Sequence, residues 1–594
     1  MCGIFCYCGP WAEEELKQNY TSEGVSCSTC FENNRRRGPD DPRASIYSRD
    51  INGKWHAKFA GWVLWTQGFQ MTHQPLREST GNLLLWNGDI FSGALAQNSE
   101  SDTQHLHSVL QTSTNIVDTL ASIEGPYSFI YHDARTDSLY FGRDPIGRHS
   151  LLVNVVPEKR VLILSSVASK KMQNWMELPA LGIFRMDLTR DDLNLTLFPW
   201  ENIPEAIHQL EEDLNMKIKV EAPIGSLGVN DITSEPQLED FVFMIPIDDK
   251  NIEVTMERLL RDEEISKRVE EVSKRLRDSV RLRVEKKPNY CMDCIKLKLE
   301  MNEVNCTHSK IGLLFSGGLD STILAAIAHE FVPEKESIDL INVAFEKGEK
   351  GSKKIKRGDK NDEEKRENFD VPDRKTGRQA FEELKRLFPR RQWNFVESNV
   401  TRSELEECLR TRICHLIYPR RTILDESLGS ALWFAARGSG TLAGTSESYQ
   451  SPCRILLLGM GADELFGGYT RHRTIFRRKG WEGLGGELNA EIRRISERNL
   501  GRDDRVVADH GKQSRLPYLD DNFVRYVTSL KPWERCCPID RMPPGLGDKL
   551  LLRLCAFKLG LKETSAFPKR AFQFGSRIAK SHENASDISK WLMW

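Results

Sequence analysis

This 594-residue chain lacks the features of a membrane protein, a nucleic-acid binder or a secreted disulfide scaffold. Its longest apolar runs are strand-length, so no segment is expected to cross a bilayer. No basic cluster followed by an apolar stretch opens it, so no secretory signal is expected. Lys and Arg number 84 against 86 Asp and Glu, a formal net charge of -2. That leaves no excess positive charge for a nucleic-acid backbone or an anionic membrane. The kinase-type phosphate loop, G-x-x-x-x-G-K followed by Ser or Thr, is missing, as are internal repeats. The fourteen cysteines are scattered and are expected as reduced thiols of a soluble, cytoplasmic protein.

What is present divides in two, because one core does not grow to this length. Residues 2–200 read as short strands and turns. Asn82–Trp86 is an apolar strand ending at the turn signal Asn87-Gly88. Gly125–Tyr131 and Asp137–Gly142 read as a hairpin, and Arg160–Ser165 as a further strand. Residues 201–255 carry no motif and read as a linker with some local structure. From Met256 to Glu285 apolar residues recur at helical spacing among many charges. Two inserts interrupt the second domain (256–594): residues 286–308, rich in cysteine, and 346–370. The second contains a run of interleaved acids and bases, Lys347–Glu367, expected as a surface loop.

Ile311–Phe315 is a buried strand, Thr322–Phe331 a helix, and Asp339–Phe345 the next strand. This β-α-β unit implies a parallel sheet. Between its first strand and helix lies Ser316-Gly317-Gly318-Leu319-Asp320-Ser321. Two glycines permit a tight turn, and the helix then aims free amides and its positive end at an anion. Another strand, Arg454–Leu458, runs into Gly459-Met-Gly-Ala-Asp463-Glu464, a glycine turn with two carboxylates at a strand end. At the other end of the chain, removal of Met1 would give Cys2 both a thiol and an α-amino group. The amine, with a reference pKa of about 8, can take the thiol proton near neutrality.

The six-residue string after Ile311–Phe315 resembles the pyrophosphate loop of the N-type ATP pyrophosphatases. The strings Gly459–Tyr469, Ser514–Asp520 and Asp548–Arg553 resemble segments of asparagine synthetases. Met1-Cys-Gly-Ile4, Arg37-Gly-Pro-Asp40, Asn87-Gly-Asp89, Ser101-Asp102 and Arg143–Gly147 resemble the class II glutamine amidotransferases. With both halves in this order, about two thirds of the chain resembles glutamine-dependent asparagine synthetase. The cysteine insert, Pro372–Gly377 and Gly459–Asp463 are more similar to its divergent branch, the asparagine synthetase domain-containing proteins.

The resemblance implies a four-layer α/β/β/α amino-terminal-nucleophile domain and a doubly wound parallel α/β ATP pyrophosphatase domain. It implies Cys2 as nucleophile and Asn87 with Gly88 as oxyanion hole. Asp89 and Asp102 would hold glutamine. Residues 316–321 and Arg553 would bind ATP, and Lys549 its phosphates. Asp320 and Asp463 would bind magnesium. The substrates would be glutamine, aspartate and ATP, and the products asparagine, AMP, pyrophosphate and glutamate. Ammonia passing between the sites would need a channel lined with small or apolar groups. Two positions depart from the family. Val63 stands where an arginine pairs with the substrate carboxylate, with Arg77 the nearby cation that could replace it. Met460 stands where the synthetases have glutamate. They open two alternatives: amidation of another carboxylate, or a degenerate homologue acting as regulator or scaffold.

Cys291-x-x-Cys294 with Cys306-x-His308 offers a Cys3His zinc set. The first spacing is usual; the second is tight for two ligands on one metal. Cys27-x-x-Cys30 has no evident partner pair.

Overall fold

In the strand Gly3–Gly9 (β1), Ile4, Cys6 and Cys8 face one core while Phe5 and Tyr7 face another. This two-residue period, with both faces apolar, requires a layer on each side. The computed structural model describes residues 2–11, 28–41, 45–96, 101–225, 236–237, 251–300, 304–346, 368–578 and 584–593. Lys347–Glu367 and Cys27 lie outside the described residues.

The strands following β1 are β2 (Ser45–Ile51), β3 (Trp55–Trp62), β4 (Leu76–Arg77), β5 (Leu83–Gly88), β6 (Tyr127–Asp133) and β7 (Ser138–Arg143). Then come β8 (Leu152–Val156), β9 (Val161–Ser165), β10 (Met176–Glu177), β11 (Gly182–Asp187), β12 (Leu195–Pro199) and β13 (Ile218–Val220). They form one sheet in the order β10-β8-β9-β1-β3-β2 and a second in the order β13-β12-β11-β7-β6-β5-β4. Inner-face residues of both, such as Ile4 and Phe59 from the first and Leu85 and Ile130 from the second, share one core. Phe31, on the helix Ser28–Arg37, packs edge-on to Phe5 at 4.9 Å outside the first sheet. Helices Asp102–Thr112 and Ile116–Ala121 cover Leu84, Phe129 and Tyr131 outside the second. The result is the expected α/β/β/α stack.

One local expectation fails here. Asn87-Gly88 is not a turn: both residues continue β5, opposite Ser128 and Tyr127 of β6. The segment 201–255 has the local structure expected of it. Ile207, Leu210 and Leu214 form the buried stripe of the helix Pro204–Leu214, and β13 then pairs in parallel with β12. The i, i+3, i+7 spacing was there to be read, masked by the charges around it.

The second domain is built on β14 (Ile311–Leu314), β15 (Ile338–Phe345), β16 (Trp393–Val400), β17 (Ser439–Leu442), β18 (Ser448–Gln450), β19 (Ile455–Leu457) and β20 (Gln513–Arg515). The sheet order is β18-β17-β16-β15-β14-β19-β20. Strands β16, β15, β14, β19 and β20 are mutually parallel, and β17 and β18 add antiparallel pairings at one edge. Every residue of β15 is buried, so helices cover both faces. The predicted helix 256–285 is two, Ile252–Arg261 and Glu263–Glu285, divided where Asp262 caps the second by accepting from the Ile265 amide at 2.9 Å. Among the described residues no helix is long and apolar enough to cross a membrane.

Candidate functional site

The ends of β14 and β19 open into a cleft of about 390 Å³. Gly317, at φ +74°, makes the turn after β14, and the helix Leu319–Phe331 starts inside the loop, three residues earlier than its apolar pattern predicts. A side chain at Gly317 would overlap the backbone of Gly377, so the loop rests directly on the helix Pro372–Leu387. The loop fixes itself: Ser316 Oγ accepts from the Gly318 amide at 3.3 Å, and Ser321 and Thr322 donate to the Gly318 carbonyl at 3.2 and 2.9 Å. Ser316, Gly318, Leu319, Asp320 and Ser321 line the cleft.

Lys549 enters from across it. Its Nζ lies 2.8 and 2.7 Å from the Asp320 carboxylate oxygens and 2.7 Å from Asp463 Oδ1. Lys569 approaches the other Asp463 oxygen at 3.2 Å. Burial alone would raise the pKa of Asp463, but Lys549 and Lys569 outweigh it and hold the carboxyl down at about 2. Burial would also lower Lys549, and its two carboxylate partners instead push it above the ordinary lysine value. Burial pushes Asp320 up, against the pull of Lys549. Two carboxylates aimed at one point from adjacent strand ends form the hard oxygen set that magnesium takes, so Asp320 and Asp463 fit that ion. Arg553 lines the cleft, but its guanidinium is committed to the carbonyls of Asp548, Ser565 and Phe567 at 2.6–2.9 Å. Met460 also lines the cleft, as do Arg471, Arg498 and Arg502, three cations that no local string marks.

Cys2 lines a separate pocket of about 40 Å³ at the end of β1. Gln74 Nε2 donates to its Sγ at 3.5 Å and to the Trp86 carbonyl at 2.8 Å, while Arg37 Nε reaches the Cys2 carbonyl at 3.3 Å. Burial raises the pKa of the thiol. Asn87 is fully buried; its amide donates to Ser128 Oγ at 3.3 Å, and its Oδ1 has no hydrogen-bond partner in the structure. Gly88, Asp102 and Val63 line the pocket. Val63 therefore presents an apolar wall, and Arg77 does not replace the missing cation: its guanidinium stacks on Tyr47 at 4.3 Å.

The pocket is finished from the other domain. Gln513 of β20 lines it and donates to Asp89 Oδ2 at 2.6 Å, and Gln67 donates to Asp89 Oδ1. Arg515 lies 3.5 Å from Asp89 and is itself anchored on the carbonyls of Arg283 and Lys286. Asp102 accepts from the Ile90 amide at 2.6 Å, and Lys286 donates to the Ile90 carbonyl at 2.9 Å. Burial, reinforced by Asp89 and opposed by the Ile90 hydrogen bond, pushes the Asp102 carboxyl up to about 7. The chain from Gln513 continues to Tyr518, whose hydroxyl donates to the Asp320 carbonyl at 3.0 Å, so one buried segment touches both sites. Arg515 belongs to this segment, and the buried Arg283–Asp520 pair (2.9 Å) lies against it.

The fold and the two sites define a two-domain protein: an α/β/β/α domain with a buried Cys2 pocket, docked on a parallel α/β domain with a glycine loop and a lysine–carboxylate cluster at its strand ends. Comparison with known proteins agrees. Residues 66–171 match the glutamine amidotransferase domain model, and residues 306–367 match the asparagine synthase model. Asparagine synthetase domain-containing protein 1 of Homo sapiens is 38% identical, the match covering 99% of this chain and 97% of that one. The asparagine synthetase domain-containing protein CG17486 of Drosophila melanogaster is also 38% identical, over 99% of this chain and 100% of its own. YML096W of Saccharomyces cerevisiae is 29% identical over 89% of this chain and 87% of its own. The chain belongs to the asparagine synthetase domain-containing family. Among solved structures, the glutamine phosphoribosylpyrophosphate amidotransferase of B. subtilis aligns with 34% of this chain and 50% of its own. At 15% identity and a TM-score of 0.24, that likeness carries no argument.

Proposed function

We propose that the chain is a glutamine-dependent, AMP-forming amidotransferase that makes asparagine from aspartate. The observation that carries this reading is the convergence of the 316–321 loop, Asp320, Asp463 and Lys549 on one cleft at the strand ends. An aspartate carboxylate oxygen attacks the α-phosphorus of ATP, and the bond to pyrophosphate breaks. Lys549 is placed to take the negative charge that develops on the leaving group. Magnesium, held by Asp320 and Asp463, would supply further charge neutralisation there. Ammonia then adds to the acyl carbon of the adenylate, loses a proton, and AMP leaves. At the other site the Cys2 thiolate attacks the glutamine amide carbon, and Asn87 and Gly88 donate to the oxyanion. The carbon–nitrogen bond breaks, the nitrogen takes up a proton and leaves as ammonia, and water releases glutamate from the thioester.

Val63 and Met460 favour a second reading, AMP-forming activation of an acid other than aspartate without use of glutamine. Both replace polar family residues with apolar side chains on the walls of the two sites.

Purified protein incubated with magnesium-ATP and aspartate, with glutamine or ammonium as nitrogen source, separates the two. Asparagine and AMP should form from either source in the parent, and only from ammonium in Cys2→Ala. No asparagine from either source sinks the first reading. Pyrophosphate exchange stimulated by a different carboxylic acid would then establish the second.

A further inference from the structure

Neither site uses the cysteine insert, yet its four polarisable side chains meet. One ligand atom from each of Cys291, Cys294, Cys306 and His308 lies within 4.8 Å of all the others. We propose that these four residues form a structural zinc site that pins the insert between the two domains, beside the Cys2 pocket.

The geometry is that of a tetrahedron. With bonds of about 2.3 Å to sulfur and about 2.0–2.1 Å to nitrogen, tetrahedral zinc sets sulfur–nitrogen edges of about 3.6 Å. His308 Nδ1 lies 3.6 Å from Cys291 Sγ, 3.4 Å from Cys294 Sγ and 3.9 Å from Cys306 Sγ. The tight Cys306-x-His308 spacing is thus no obstacle, because Nδ1 is the nitrogen turned to the sulfurs. Backbone amides already serve two of the three sulfurs: Cys294 N donates to Cys291 Sγ at 3.5 Å, and Cys291 N to Cys306 Sγ at 3.3 Å. Such donors orient thiolate ligands and offset their charge. Packing does not explain the cluster. Cys306 is only half-buried and His308 is exposed, so neither is drawn in by apolar contacts. No disulfide joins any of the three cysteines. Four protein ligands close the coordination shell and leave no position for substrate, which makes the site structural.

Its place gives it a task. The Met292 amide donates to the Pro452 carbonyl at 2.9 Å, and Lys310 Nζ to the Cys306 carbonyl at 3.1 Å, tying the insert to the second domain. On the other side Tyr290, next to the first ligand, has its ring 6.4 Å from that of Trp65, which lines the Cys2 pocket. Lys286, at the start of the insert, holds the Ile90 carbonyl. Zinc would therefore fix the segment that backs the glutamine pocket.

The test is metal content of the full-length chain, produced with zinc in the medium and measured by mass spectrometry after gel filtration. About one zinc ion per chain is expected, falling by at least fivefold in Cys294→Ala and in Cys306→Ala. Full zinc content in both variants would place the metal elsewhere and overturn the proposal. If the variants fail to fold, the parent decides alone. Stripped with a chelator and titrated with cobalt(II), it should show the strong visible bands of a tetrahedral thiolate site, bleached by zinc. A parent that holds no zinc and gives no such spectrum overturns the proposal, as does a disulfide between Cys291 and Cys294 in the purified chain.

Discussion

Lys549 concentrates the most consequence in one side chain. It is buried, takes a left-handed backbone (φ +54°), and its ammonium is shared by two carboxylates at the starts of different helices, Leu319–Phe331 and Ala462–Phe466. Replacing it with methionine keeps the stem and leaves Asp320 and Asp463 facing each other without it. The expected cost is about 3 kcal/mol, the low end for a broken buried pair because both carboxylates keep some exposure. Pyrophosphate exchange should fall by about 10² to 10³ for loss of a charge-stabilising donor. The pH profile gives the sign. Asp463 titrates near 2 in the fold against an ordinary 3.8, so its pairing stabilises above about pH 4 and is lost as pH falls toward 2. Lys549→Met should flatten that acid limb in urea unfolding; an unchanged limb would refute the pairing. Asp102 has the opposite sign. Its folded pKa of about 7 exceeds the ordinary 3.8, so the fold loses stability as pH rises from about 4 to 7 and stays penalised above. Asp102→Asn should match the parent near pH 4 and gain on it by pH 8 in thermal unfolding; parallel profiles would remove the penalty. Such residues were legible where a local string carried them, as with Cys2, Asp320 and Lys549. Gln513 and Arg515 were not legible as parts of the Cys2 pocket. Gln513 lies in no such string and that of Arg515, Ser514–Asp520, points to the other site; only strand β20, brought against Asp89 from more than four hundred residues away, gives them this role.

At the level of elements, the 316–321 loop depends on a helix that nothing in the sequence ties to it. Gly317 crosses the helix Pro372–Leu387 at the backbone of Gly377. A Cβ on Gly377 would come within 2.7 Å of Asn342 Nδ2, the amide that donates to the Phe315 carbonyl, just before the loop, at 2.8 Å and to the Asp373 carbonyl at 3.0 Å. Gly377→Ala should therefore cost about 1–3 kcal/mol by overpacking and push the loop off its position. Nucleotide-induced stabilisation in thermal shift assays should shrink further than the drop in intrinsic stability. Equal nucleotide shifts in the two proteins would mean the loop does not rest on this contact. Strands such as β9 and β15 were readable because burial on both faces writes an apolar run into the sequence. Asn87-Gly88 misled because its dipeptide preference is for a turn, and pairing with β6 overrode it.

At the scale of the molecule, the two domains meet through buried ion pairs, and these reach the Cys2 pocket. Arg37 and Asp40, the two ends of one short turn, both cross the interface: Arg37 pairs with Asp504 at 2.8 Å and Asp40 with Arg454. Asp504 also accepts from His149 at 2.9 Å and from the Ser150 amide at 3.1 Å. Arg37 in turn touches Cys2, and Asp40 accepts from the amide of the pocket residue Trp65 at 2.8 Å. Buried pairs of this kind add little net stability over apolar packing, but losing one partner strands the other and penalises any shifted docking. Burial would raise the pKa of Asp504, yet Arg37 and His149 hold it far below the carboxylate range, so its contribution persists until strongly acid pH. Asp504→Ala should leave the buried Arg37 unpaired at a cost of about 3–5 kcal/mol and loosen the docking rather than either core. Calorimetry should then show two unfolding transitions in the variant against one in the parent. If the interface positions Cys2, glutamine-dependent product should fall well below the parent while ammonium-dependent product stays close to it. Equal losses from both nitrogen sources would show that the network supports the fold as a whole and does not hold the glutamine pocket to the domain that consumes its ammonia.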